Sequence, residues 1–231
     1  ELISKLMSEV GCHFFAADKE VCCAIDYVQY YPSSLVDLKQ SGISMDGSGN
    51  IFVCCQDKTP LSYLVSGIVA ALVTNNHVLF QPSYIGLGSV ICSLFWRAGV
   101  PEEALQIVHL DDVGNQLKSW KLDGLIYSGS NQHCQIIIKK NPDLPVYPII
   151  TDAKNVMILA NDCDKREAIR HTIKSSFYNS GYDLTSTSLL LIDRELSNDH
   201  QFLKDLVDAT KSLYIGSSWD IETDIVSDFR S

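Results

Sequence analysis

The sequence predicts an α/β fold: an open parallel sheet with flanking helices, then the start of a second, smaller α/β unit. Three observations predict it. From residue 51 onward, short apolar runs alternate with segments of helical length, the pattern of strand–helix–strand crossovers, which makes the sheet parallel. The stretch Leu122–Ser130 reads Leu-Asp-Gly-Leu-Ile-Tyr-Ser-Gly-Ser, an apolar run closed by a glycine turn, and a helix-length segment, Asn131 to Lys140, follows at once. Such a junction lies at the carboxyl end of a strand, where open α/β sheets bind ligands, and its helix start suits a phosphate. Any βα turn holds a glycine readily, so the turn alone identifies no site. Finally, 231 residues with 46% hydrophobic and 20% charged content suffice to bury a substantial core.

The elements follow in order. Leu2, Leu6 and Val10 have helical spacing. A second helix is expected from Asp18 to Tyr31, with Val21, Ala24, Ile25 and Val28 on one face and Pro32 as its stop. Ser41–Asn50 is turn-rich. Ile51–Cys55 reads as a buried strand, Leu61–Val73 as a helix, Asn75-Asn76 as a turn and His77–Phe80 as a strand. Then come helix Gly88–Ala98, strand Leu105–Leu110, short helix Val113–Trp120, strand Leu125–Tyr127 and helix Asn131–Lys140. Lys139–Asp143 looks like a connection, which places a first domain at 1–145 and a second at 146–231. The second holds strands Val146–Ile150 and Val156–Leu159, helix Lys165–Tyr178, strand Ser188–Ile192 and helix Asp199–Ser212.

Composition excludes several functions. A formal net charge of −10 gives no general attraction to nucleic acid or anionic lipid. The most apolar helix, Leu61–Val73, carries Ser62 and Ser66 and is too short to span a membrane. The chain starts at Glu1 inside a helical pattern, so both ends are expected to be cut from a longer polypeptide. The eight cysteines include no C-x-x-C, and Cys54 and Cys55 point to opposite faces of a strand, so no metal site is expected. Reduced thiols in an intracellular, cytoplasmic setting are the expectation. His77 reads as a turn histidine, His133-Cys134 as diverging neighbours, Asp111-Asp112 as a turn or helix cap, and Trp96 and Trp120 as core.

The order of motifs resembles one family. Ala24-Ile25-Asp26-Tyr27-Val28-Gln29-Tyr30-Tyr31, Pro60-Leu61, Ala70-Ala71-Leu72, Gln81-Pro82-Ser83 and Ala98-Gly99-Val100-Pro101 come first. Leu105-Gln106, Tyr127-Ser128-Gly129-Ser130, Asn155-Val156-Met157-Ile158, Ser180-Gly181, Leu213-Tyr214-Ile215-Gly216 and Thr223-Asp224-Ile225 continue the series. In this order and spacing the chain resembles the aldehyde dehydrogenases, most closely the pyrroline-5-carboxylate dehydrogenase module of bifunctional proline-utilisation enzymes. The family module is longer at both ends. The resemblance implies a Rossmann-like NAD domain and the beginning of a catalytic domain. It also implies a chemistry in which a cysteine thiolate attacks an aldehyde, an amide and a backbone N–H hold the oxyanion, and a glutamate activates water.

Carried over position by position, that chemistry fails. The nucleophile falls on Leu184, with Thr185 and Ser186 as hydroxyl neighbours. The general base falls on Ile150, with Asp152 two residues on, and the oxyanion amide falls on Lys58. The family's Lys-Pro-Ser-Glu, which holds the adenosine ribose, reads Gln81-Pro82-Ser83-Tyr84, so Gln81 and Ser83 keep hydrogen-bonding groups without the charge. Gly129 and Ser130 survive at the pyrophosphate turn. The expectation is therefore an aldehyde dehydrogenase-like domain without catalysis, structural or regulatory in a larger proline-catabolic-type polypeptide, partnered by its other domains or by further copies. The alternatives are an NAD-dependent glutamate-semialdehyde or pyrroline-5-carboxylate dehydrogenase and an NAD-sensing module.

Overall fold

The computed structural model describes residues 1–45, 47, 49–55, 61–109, 113–151 and 154–227. The chain divides into two compact units, Glu1–Val10 with Asp18–Asp152, and Gly11–Ala17 with Ala153–Ser231.

The first unit opens with α1 (Leu2–Lys5), continued by a wider π turn over Leu6–Val10, and then α2 (Phe14–Gln40), whose first residues are counted with the second unit. Pro32 lies inside α2 rather than ending it. Proline removes one donor, but the Ser33 hydroxyl donates to the Gln29 carbonyl at 2.9 Å, and half-buried Leu35 and Leu38 hold the next turns. β1 (Asn50–Cys55), α3 (Leu61–Val73), β2 (His77–Gln81), α4 (Ile85–Arg97) and β3 (Leu105–Ile107) follow. Next are α5 (Val113–Gln116) with a 3-10 turn over Leu117–Ser119, β4 (Gly124–Gly129), α6 (Asn131–Lys140) and β5 (Val146–Thr151). The five strands are all parallel, in the order β3-β2-β1-β4-β5. Val146–Ile150, expected to open the second half, instead runs as β5 beside β4, with Ser128 opposite Ile150.

Strand alternation divides the core between the two faces. Phe52, Cys54, Leu125 and Tyr127 pack with Val113, Leu117, Cys134 and Ile137 from α5, the 3-10 turn and α6. On the other face α3 approaches so closely that a methyl group at Gly67 would stand 3.1 Å from Ile126 Cγ2. Two helix starts are capped from a distance. Glu20 on α2 accepts from the Ser62 N–H at 3.0 Å and the Ser62 hydroxyl at 2.8 Å, and Glu9 accepts from the Leu87 N–H at 2.8 Å. Trp120 meets Phe52 edge-on at 6.2 Å, and the Trp96 indole donates to the Leu105 carbonyl at 3.0 Å.

In the second unit, β6 (Asn155–Leu159) pairs in parallel with β7 (Thr187–Ile192). α7 (Lys165–Phe177), α8 (Arg194–Ser197) and α9 (His200–Lys211) are capped by Asp164, Asp193 and Asp199. Their core is Leu159, Ala168, Leu196 and Phe202, with Met157, Leu190 and Ile192 against it. β8 (Ile215–Gly216) and β9 (Ile225–Val226) form a two-residue ladder too short to read from sequence. His13 is buried in this unit, edge-on to Tyr178 at 5.1 Å, with Nδ1 accepting from the Ala16 N–H at 3.2 Å.

Burial pushes the His13 pKa below its ordinary 6.5, and Asp224 opposes this only in part. The unfolded chain therefore takes up the proton first on acidification. Stability of this unit is full above pH 6.5 and falls as the pH drops below it. Urea denaturation at pH 7.5 and 5.5, followed on α7 and α9 by amide exchange, is expected to show a smaller pH effect in His13→Phe than in the natural chain (pH values about one unit to either side of the ordinary one).

Candidate functional site

The strand order reverses direction between β1 and β4, and there the carboxyl ends open a crevice. Cys55 ends β1 opposite Ser128 of β4, and the turn Ser128-Gly129-Ser130 leads into α6. Gly129 takes φ 150°, a conformation side chains resist. Ser130 caps α6 by accepting from the His133 N–H at 3.3 Å. Fully buried Tyr127 donates to the Ser130 carbonyl at 3.0 Å, and its hydroxyl lies 3.2 Å from His133 Nδ1. The capping glutamates occupy the starts of α3 and α4, whereas α6 is capped by the Ser130 hydroxyl and carries no acidic residue in its first turn.

Gln81 ends the neighbouring strand β2, and Ser83 follows Pro82 on its exposed shoulder. Gln81, Ser83, Gly129 and Ser130 thus share one edge of one sheet, the two ends separated by β1, about 10 Å at the usual strand spacing. A dinucleotide fits this edge in outline: hydrogen-bonding side chains at one end, a bare glycine turn and a helix start at the other. No Lys or Arg occurs within Gln81–Ser83 or Ser128–Ser130.

Of the catalytic positions, Ile150 and Leu184 are described. Lys58 and Asp152, like Asp111-Asp112, lie outside the described residues. Ile150 is half-buried and lines a cavity of about 660 Å³ on the α3 face, with Ile126, Tyr63 and Tyr147. Leu184 belongs to the second unit, where its carbonyl accepts from the Asn155 side chain at 2.7 Å. Thr185 beside it is exposed, and the buried Ser186 hydroxyl has no partner among the described residues. Among the described residues, the Ser186 hydroxyl thus has no hydrogen-bond partner that could act as its base.

Cys55 is the residue the sequence reading missed: a thiol at the crevice edge, hidden in the Cys54-Cys55 pair. It is 2% exposed and donates to the Gln81 carbonyl at 3.3 Å. Burial pushes its pKa up to about 11 against the smaller opposing effect of hydrogen bonds with Ser83. It laces β1 to β2 as a neutral thiol. Burial likewise raises Cys54, Cys134 and Cys92, the last to about 12. Every thiol shift resolved is away from the thiolate that nucleophilic chemistry needs. No cluster of three metal-binding side chains occurs among the described residues, and none of their helices is long and apolar enough to cross a membrane.

Known proteins share this architecture. A lactaldehyde dehydrogenase of Methanococcus maripaludis is 27% identical over 175 residues, 72% of this chain and 37% of that protein. A putative succinate-semialdehyde dehydrogenase (NADP+) of Mycobacterium tuberculosis is 25% identical over 244 aligned positions, covering 98% of this chain and 46% of the relative. The fold superposes on a mutant proline utilization A (PutA) of Bradyrhizobium japonicum with a TM-score of 0.87 and 21% identity, covering 97% of this chain and 25% of that one. The chain thus spans less than half the length of these curated relatives. The aldehyde dehydrogenase family model matches residues 1–227, and with the Rossmann-like strand order and the glycine turn in place, this chain belongs to the aldehyde dehydrogenase family.

Proposed function

We propose that this chain is a catalytically inactive aldehyde dehydrogenase-type segment, structural or regulatory in a larger proline-catabolic-type polypeptide, with a weakened dinucleotide edge. The observation that carries the reading is Leu184 itself, an apolar side chain in a second-unit turn, which offers no thiol where the family's nucleophile falls. Ile150 in an apolar wall, where the family's glutamate falls, supports it. Gln81 and Ser83 would meet the adenosine ribose, and the Gly129–Ser130 backbone with the start of α6 would meet the pyrophosphate. When bound, the dinucleotide supplies a hydride acceptor; this chain's residues bind and orient it.

The second reading, a working NAD(P)-dependent aldehyde dehydrogenase, is supported by the family match and by the relatives' names. Calorimetry with NAD and NADP, together with an assay of NADH or NADPH formation on glutamate semialdehyde, separates the readings. The expected result is binding weaker than about 0.1 mM and no reduced product. Micromolar binding without product points to a dinucleotide sensor. Product formation sinks the proposal.

A further inference from the structure

A cavity of about 720 Å³ is lined by second-unit residues alone, from α7, the end of α9, the segment 221–224 and the residues around His13. α7 gives it one whole face. Arg166, Ile169, Arg170, Ile173, Lys174 and Phe177, spaced by three and four residues, stand on the same side of the helix. Ala168 and Thr172, off that side, are buried. Half-buried Ala209 and Leu213 add apolar surface from α9 and the residues just past it.

Several donors in this lining are unengaged. The Arg166 guanidinium and the Lys174 ammonium have no partner among the described residues. Arg170 donates to Glu167 through Nε at 2.9 Å and Nη2 at 2.6 Å. His13 is 8% exposed, and burial keeps it neutral. Its Nδ1 accepts from the Ala16 N–H at 3.2 Å, so the ring carries its hydrogen on Nε2. That hydrogen has no acceptor among the described residues. A buried donor of this kind favours a ligand that brings an acceptor. His13 stands edge-on to Tyr178, four residues past Lys174, which puts the imidazole at the Lys174 end of the α7 face. Arg166 lies two turns back, about 12 Å along the helix axis.

Glu222 and Asp224 also line the cavity, and Asp224 accepts from the Tyr214 N–H at 2.9 Å. Three cations against two carboxylates suit a single negative charge, and the chain's net charge of −10 opposes polyanions further.

We propose that this cavity binds a small organic monoanion, a carboxylate with an aliphatic or aryl body. The carboxylate sits at the end where Lys174, Arg170 and the His13 N–H converge, and the body runs back over Ile173 and Ile169. The dinucleotide edge belongs to the first unit, so binding here is independent of the proposed loss of catalysis.

Titration of the isotope-labelled 231-residue chain with hydrocinnamate, followed by amide and His13 ring NMR shifts, tests it. The expected result is saturable binding with a Kd of about 0.1–1 mM and shifts concentrated on His13 and the last two turns of α7. The corresponding alcohol and ammonium are expected to bind at least about fivefold more weakly. Lys174 is exposed, so Lys174→Gln keeps the fold, and it is expected to weaken the acid about five- to tenfold. Arg166→Gln is expected to weaken it less than about twofold. Lys204→Gln, an exposed cation of α9 outside the cavity, sets the baseline for a lost charge. Absence of saturable shifts at about 10 mM overturns the proposal. So does an alcohol that binds as tightly as the acid, or binding that Lys174→Gln leaves intact. Binding by this chain that is lost in the longest polypeptide containing it also overturns the proposal, since other residues then fill the cavity.

Discussion

Tyr127→Ala is expected to lower the unfolding free energy of the first unit by about 3–5 kcal/mol, the range for emptying a filled aromatic site in a core. Tyr127 is wholly buried in β4, among Phe52, Leu125, Cys134 and Ile137. Its removal leaves a cavity between the sheet and α6 that the flanking β1 and α6 cannot close without breaking register. The hydroxyl adds a separate contribution. It holds the Ser130 carbonyl at 3.0 Å and so fixes the turn on which any dinucleotide would rest. Tyr127→Phe removes that bond and the hydroxyl's contact with His133 but keeps the ring, and is expected to cost about 1 kcal/mol. Urea titration followed by tryptophan emission reads the difference, because Trp120 packs on the same core. Equal losses for the two variants would contradict the packing account.

Leu184→Cys is expected to restore no detectable aldehyde oxidation, leaving the rate at least about 10⁴-fold below that of a competent thiol enzyme. A thiol alone is a poor nucleophile until something withdraws its proton. Around Leu184 lie the exposed Thr185, the buried Ser186 hydroxyl and the Asn155 amide, none of which is a base. The half-buried Asp183, a carboxylate, lies there too, and carboxylates as a class hold a proton far less tightly than a thiolate does. Ile150, where the family's base falls, lines an apolar wall. Measurable NADH formation by the single variant would show that a base is within reach and that only the thiol had been lost.

Much of this was legible in the residues themselves. Leu61–Val73 and Asn131–Lys140 emerged as α3 and α6 with both ends as expected, because each lies between strong turn signals and buries one apolar face. Pro32 misled because the energy of a missing donor is offset by Ser33 and by packing, which sequence alone does not weigh. Residues 146–150 fell into the wrong half because Lys139–Asp143 has a linker's composition, while β5 is held by pairing with a strand about twenty residues earlier. Long-range pairing also hid the glutamate caps, since Glu20 and Ser62 are 42 residues apart. At the site, glycine and serine positions could be read because backbone shape constrains residue type. The state of Cys55 could not, because the pKa of a thiol depends on burial and on strand neighbours that spacing does not reveal.

The central claim is that the scaffold has kept its dinucleotide edge and lost its reactive groups. The most direct measurement is the rate of NADH formation from NAD and glutamate semialdehyde by the longest polypeptide containing this sequence, compared with the same polypeptide carrying Cys55→Ala. The account predicts no NADH formation by either polypeptide, because Cys55 is a buried neutral thiol tying two strands together and position 184 carries no thiol. NADH formation that disappears with Cys55→Ala, while the melting temperature holds, would contradict it.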